Sequence, residues 1–135
     1  MTPLNATHDP ARTSWVTSAN DGVTDFPIQN LPFAVFRRTG SAEVFRGGVA
    51  IGDQIVDLAA ATAAGVFTGL AQEAAVAASA STLNAFMAMG NAAWSALRAA
   101  LSDALSTGSA HERALRACLV PQASAEYAVP ARIGD

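Results

Sequence analysis

The sequence predicts an α+β domain: a small, strongly bent sheet or barrel over residues 33–58, then several attached α-helices over residues 59–120. Two observations carry that reading. Between Phe33 and Leu58, short β-branched and aromatic runs are punctuated by glycine, the pattern of short strands joined by tight turns. From Leu58 onward the period changes, and Trp94, Leu97, Leu101 and Leu105 recur at the spacing of one helical face.

Each element has its own local signal. Phe33-Ala34-Val35-Phe36 alternates large and small side chains as a strand does, and Thr39-Gly40-Ser41 supplies a turn. Glu43 to Arg46 reads as a short partner strand, broken by Gly47-Gly48. Val49 to Ile51 and Ile55 to Leu58 bracket Gly52-Asp53-Gln54 as the arms of a hairpin. Ala59 to Ala64 reads as a short helix stopped near Gly65, and residues 70–80 as a second helix resting on alanine propensity. Ser81 or Thr82 can cap a third, carrying Leu83, Phe86 and Met87; Gly90 ends it, and Asn91 caps the Trp94–Leu105 helix. Trp94 reads as core, within the leucine stripe. Ser109 and Glu112 fit a capping box, opening a last helix that carries Leu115 and Cys118 and stops at Pro121.

The flanks differ in character. Residues 1–24 form a polar N-terminal arm, in which Trp15 is the residue expected to pack back onto something. Residues 25–120 make the domain, and residues 121–135, with Pro130 and no amphipathic period, read as an extended linker. Where the arm meets the domain lies DFPIQNLPFAVF, residues 25–36, whose mixture of prolines, aromatics and polar groups could suggest a binding loop. It reads instead as the approach to the first strand. Pro27 and Pro32 keep Phe26 and Leu31 out of the helical region, while Asp25 and Asn30 can satisfy turn amides.

Composition narrows the function classes. The 135-residue chain is large enough to bury roughly two thirds of its unfolded surface. All eight cations are arginine and the net charge is −3, so the basic patch that nucleic-acid binding requires is missing. Cys118 is the lone cysteine, which leaves no internal disulfide or cysteine metal cluster and fits a reducing compartment. MTPLNATHDPARTSW has no signal-peptide pattern, and the alanine-rich window 58–80 is interrupted by Gly65, Gly69, Gln72 and Glu73, so no membrane span is expected. The expectation is a soluble, cytoplasmic domain.

Residues capable of chemistry are sparse. His8 and His111 stand apart from Cys118 and from any acid at a ligand spacing, so no four-ligand metal site can be assembled. Cys118 lies near a helix C-terminus, where nothing lowers its pKa, and reads as a small buried hydrophobe. Asp53 and Asp57 could form a carboxylate pair, but Asp53 sits in a turn and Asp57 at a helix cap, and both are read as structural. Gly47-Gly48 and Gly52 lack phosphate-loop spacing, and Asn5-Ala6-Thr7 is a sequon without a secretory signal. Ser14, Ser81 and Ser124 show no nucleophile-elbow pattern. No catalytic, metal-binding or substrate-binding residue is assigned to this chain.

Four blocks in order, DFPIQNLPFAVF, GVAIGDQIVDL, STLNAFMAMGNAAW and QASAEYAVPARIGD, resemble the N-terminal region of the fumarylacetoacetases and cover most of residues 25–135. The resemblance implies a small SH3-like β-barrel with attached helices, preceding a large C-terminal catalytic domain. It also implies hydrolysis of a carbon–carbon bond of 4-fumarylacetoacetate to fumarate and acetoacetate, in tyrosine and phenylalanine breakdown. The implied cofactor is Ca²⁺ or Mg²⁺, with a His–Glu pair activating water, and the implied assembly is a homodimer. In the family the Ile-Gly-Asp that ends at Asp135 runs on into Tyr-Thr-Asp-Phe-Tyr, whose aspartate binds the metal. Every ligand and catalytic residue of the family is therefore expected beyond Asp135, and the chain itself is expected to be an inactive, accessory part. A stand-alone binding module built on the same barrel is the alternative.

Overall fold

The computed structural model describes residues 13–20, 26–80 and 83–128. Five strands form one antiparallel sheet: β1 (Phe33–Arg38), β2 (Arg46–Ile51), β3 (Gln54–Asp57), β4 (Leu119–Pro121) and β5 (Ala125–Ala128), in the spatial order β4-β3-β2-β1-β5. Five helices accompany them: α1 (Leu58–Ala63), α2 (Gly69–Ala78), α3 (Asn84–Ala88), α4 (Asn91–Leu105) and α5 (Glu112–Arg116). The α+β class is as the sequence indicates.

The sheet is strongly bent, and chain connectivity requires it. Its edges, β4 and β5, are consecutive in sequence, joined by the 3₁₀ turn Gln122–Ser124. Four inter-strand spacings in a flat sheet would separate those edges by about 19 Å, whereas a three-residue 3₁₀ link advances only about 2 Å per residue. The turn is fastened on both sides. Gln122 donates its backbone N–H to Asp53 O and its side-chain amide to Gly52 O, while Thr39 N donates to Ser124 O. Even so, β4 and β5 remain edges: no ladder joins them, so the sheet is open and hydrogen bonding does not close it into the barrel implied by the resemblance. Both strands are short, and Pro121 has no N–H with which to extend one.

Strand alternation distributes the apolar residues over two faces. On the concave face Phe36, Ile55 and Val120 cluster with Ala125. On the other, Val35, Val49, Ile51 and Val56 join the helices in the main core. The register is consistent throughout: Val49 opposes Val56 and Phe33 on its neighbours, while Ala50 opposes Ile55, which opposes Val120. The β2–β3 hairpin forms as expected, with Gly52 at φ +56°, a left-handed conformation open to glycine without strain. Gly47-Gly48, expected to break a strand, lies inside β2 instead. A Cβ on Gly47 would fall on the carbonyl oxygen of Ala78 at the end of α2, and one on Gly48 would come within 2.6 Å of Phe36 and Ile55. These glycines are present for close approach, and Glu43–Phe45 is correspondingly loop.

The helices follow the sequence period closely. Leu97, Leu101 and Leu105 of α4 are fully buried, while Trp94 is half-buried and donates its indole N–H to Phe86 O. Gly90 rather than Asn91 is the α4 N-cap. α5 is shorter than expected and lacks the capping box: Ser109 Oγ accepts from His111 N, and Glu112 pairs with Arg116. Residues 119 and 120, expected to continue that helix, instead form β4 with Pro121, and residues 125–128 of the expected linker are β5. The Ser81 and Thr82 caps and Asp25 lie outside the described residues.

Trp15 does pack back, and the target is specific. The last carbonyls of a helix lack intrahelical partners. Trp15 Nε1 donates to Ala104 O at 2.9 Å, Ser14 Oγ donates to Leu105 O at 2.6 Å, and Trp15, Val16 and Ala19 are buried. Within residues 26–36, Ile28 and Leu31 are buried, Gly52 N donates to Phe26 O, and Ala50 N donates to Pro32 O. That segment is thus a strap along the β2–β3 hairpin.

Two substitutions test this architecture. Phe36→Ala empties a fully buried site and is expected to cost about 3–5 kcal/mol in urea unfolding. Gly47→Ala sets a methyl group against backbone and is expected to cost about 1–3 kcal/mol or more by the same measurement. An unchanged midpoint for either would contradict the packing described.

Candidate functional site

The densest group of charged side chains is built around Arg46 at the start of β2. Its guanidinium lies over the Phe36 ring, 4.6 Å from the centroid, closing the concave cluster from solvent. Nη1 donates to Glu43 Oε1 at 3.0 Å, while Nε and Nη2 engage Asp57 Oδ2 at 3.1 and 3.0 Å. Arg46 and Asp57 are only 13% and 14% exposed at the side chain, so this is a partly buried, charge-assisted network. Asp57 also caps α1, accepting from Ala59 N and Ala60 N through its other oxygen, as the sequence indicates.

The electrostatic consequences follow from these contacts. The hydrogen bond from Arg46, with further donors on Arg38, holds the Glu43 carboxyl down at about 2. Burial opposes the charge on Arg46, but its two carboxylate partners outweigh that and raise its pKa. The network ties the 39–45 loop, the β1–β2 pair and the α1 N-terminus together. Its carboxylates are hydrogen-bonded to arginine, which makes the network a clasp between these segments.

The remaining candidates also go to structural tasks. Asp53 accepts from Ser18 Oγ at 2.7 Å and from the Gln54 amide, which lowers its pKa. Asp53 and Asp57 sit at opposite ends of β3 with different partners and form no pair. Cys118 is buried, its thiol pushed up first by burial and then by the negative charge of Asp57, opposite to what a nucleophilic thiolate needs. His111 precedes α5 on the surface, and Ser14 is occupied with the end of α4. Ser124 lies in the 3₁₀ turn. His8, Asn5, Ser81 and Asp135 fall outside the described residues. Among the described residues no three His, Cys, Asp or Glu side chains gather to hold a metal ion.

Apolar surface is where the molecule is unusual. Val44 at the tip of the 39–45 loop is 80% exposed, beside a groove of about 660 Å³ between Phe45, Ala59 and Ser79. A second depression, of about 220 Å³, lies between β1, α3 and α4, lined by Phe33, Leu83, Phe86, Met87, Trp94 and Arg98. Sequence reading did not single out Arg98. The one available signal was a cation three residues before Leu101 on a helix face otherwise assigned to the core. No helix among the described residues is long and apolar enough to cross a membrane.

The domain is thus of the α+β class, with charged clusters paired internally and two apolar depressions open to its surface. Comparison with known proteins identifies its family. Residues 29–130 match the family described as fumarylacetoacetase N-terminal, and the chain belongs to that family. It is 45% identical to the fumarylacetoacetase of Oryza sativa subsp. japonica over 116 residues, 82% of this chain and 27% of that protein. It is 44% identical over 128 residues to those of Rattus norvegicus and Homo sapiens, 90% of this chain and 29% of each. The chain thus spans less than a third of the length of these relatives.

The clasp makes a pH prediction. Because the folded-state pKa of Glu43 is depressed, its contribution is complete above the ordinary carboxylate range and drains away as pH falls from 4.5 toward about 2. Glu43→Gln should flatten the acid side of the stability profile in that window and leave it parallel to wild type above. Arg46→Ala, which strands Asp57, should cost about 2–3 kcal/mol near neutrality. Identical acid profiles for wild type and Glu43→Gln would contradict the arrangement.

Proposed function

We propose that this chain is the N-terminal domain of a fumarylacetoacetase, the enzyme that hydrolyses 4-fumarylacetoacetate to fumarate and acetoacetate in tyrosine and phenylalanine catabolism. The observation that carries the reading is the match of residues 29–130 to the N-terminal family, in a chain that aligns with 27–29% of full-length relatives. In this reading the domain is accessory. It packs on a C-terminal catalytic domain, helps shape the approach to the active site and contributes to a homodimer. Its bent sheet, with edges bridged by a 3₁₀ turn, supports an SH3-like barrel in that assembly.

The chemistry belongs to the catalytic domain. Cleaving a carbon–carbon bond beside a carbonyl needs a polarised carbonyl oxygen and an activated water, tasks for a Ca²⁺ or Mg²⁺ ion and a positioned base. Glu43, Asp57, Glu112 and Glu126 are paired with arginine and Asp53 is engaged in the β2–β3 turn, which supports placing those groups elsewhere. A cytoplasmic location goes with the same reading, supported by the single free cysteine.

Reading the gene past codon 135 is the first test, with Tyr-Thr-Asp-Phe and a long β-rich region expected. The second is the loss of 4-fumarylacetoacetate absorbance in the presence of Mg²⁺ or Ca²⁺. The full gene product should turn over substrate, while residues 1–135 alone should stay at background. A stop codon after residue 135 would favour a stand-alone module, and turnover by the 135-residue chain would overturn the accessory role.

A further inference from the structure

Arg98 lies on the wall of the smaller apolar depression, half-buried on α4. Its Nη1 donates to Leu31 O at 3.2 Å, and its guanidinium stands 5.6 Å above the Phe33 ring. The two other arginines that cover aromatic rings along the sheet, Arg37 and Arg46, are each paired with a carboxylate. Arg98 has no carboxylate partner among the described residues, and burial alone pulls its pKa down. A guanidinium has five N–H donors, so Leu31 O leaves most of them unused within the described part of the protein. Beneath it the rings of Phe33 and Phe86 meet at 4.7 Å, with Trp94 beyond at 6.5 Å, and Met87 is 52% exposed at the rim. Aromatics, methionine and arginine around a pocket are the composition of an interface centre.

We infer that this depression is the seat of the catalytic domain on the N-terminal domain: an apolar side chain of that domain enters between Phe33, Phe86, Met87 and Trp94, and a neighbouring Asp or Glu pairs with Arg98. The inference rests on the accessory-domain reading above and names the contact through which it operates. Charge complementarity selects the occupant. A purely apolar insert would leave the Arg98 guanidinium further desolvated and unpaired, which is costly, whereas an acid beside the insert satisfies it. A second copy of this chain, whose Glu73 is exposed on α2, is the competing occupant, and the concentration dependence of Met87 oxidation separates it from the catalytic domain.

Methionine oxidation by dilute hydrogen peroxide, read by mass spectrometry, tests the contact. In the full-length gene product Met87 should oxidise at least tenfold more slowly than in the 135-residue chain. Arg98→Glu in the full-length protein should return Met87 toward the fast rate, and Arg98→Lys should keep most of the protection; if Arg98→Glu fails to fold by circular dichroism, Arg98→Gln replaces it. Equal Met87 rates in a full-length protein that hydrolyses 4-fumarylacetoacetate would overturn this inference and leave the accessory reading intact. Absence of any catalytic domain would overturn both. Protection of Met87 that grows with the concentration of the 135-residue chain would assign the seat to a second copy instead.

Discussion

Two adjacent glycines in β2 allow one strand to be packed closely on both of its faces. At Gly47 the end of α2 rests on the strand backbone, and at Gly48 the Phe36 ring and Ile55 fill the space that a side chain would take. A sheet this short cannot build a wide core on either face, so the gain comes from proximity, with helix carbonyl and aromatic ring each in contact with the strand backbone. The bend of the sheet belongs to the same solution. Bringing β4 and β5 within reach of a three-residue turn curls the sheet around Phe36, and the missing Cβ of Gly48 makes room for that curl. Arg46, two residues before Gly48, lies over the ring it helps enclose and pairs with Asp57, the N-cap of α1.

A second long-range constraint fixes the helical half. α4 is the buried helix, and its C-terminus would leave carbonyls unsatisfied in a region closed to water. Ser14 and Trp15 satisfy Leu105 and Ala104, so a polar stretch far away in sequence becomes part of the core. Ser18 makes the complementary contact on the sheet side, accepting from Asp53 N in the β2–β3 turn. Residues 13–20 therefore bridge α4 and the hairpin, a role that no local pattern in TSWVTSAN announces.

What was legible in the sequence divides along that line. Features set by neighbours in sequence were readable: the leucine stripe of α4, the Asp57 cap, the glycine stop after α1 and the β2–β3 hairpin. Features set by distant partners were not. Gly47-Gly48 looks like a strand breaker because its reason, contact with Ala78, Phe36 and Ile55, lies elsewhere in the chain. β4 and β5 were invisible for the same reason, since three or four residues carry no period and become strands only by pairing with β3 and β1. The Ser109–Glu112 capping box failed because Glu112 found Arg116 one turn on. As for chemistry, the histidines, the cysteine and the acids could be weighed one by one, but the Glu43–Arg46–Asp57 clasp needed the β1–β2 loop folded back on α1.

Most of the described acidic side chains are already engaged within the fold. Glu43, Asp57, Glu112 and Glu126 each pair with an arginine, Asp53 is held by Ser18 and Gln54, and the thiol is buried. Catalytic groups are typically held at some cost to stability, with desolvated or like-charged neighbours that shift pKa values toward reactivity. Here the shifts run the other way. Glu43 and Asp53 are held more firmly ionised and Cys118 more firmly protonated, which deepens existing contacts and prepares none of these groups to exchange a proton near neutrality. Arg98 is the exception, because burial weakens its hold on its proton without a carboxylate to offset the cost. Its hydrogen bond to Leu31 O and its place over the Phe33 ring are what hold it there.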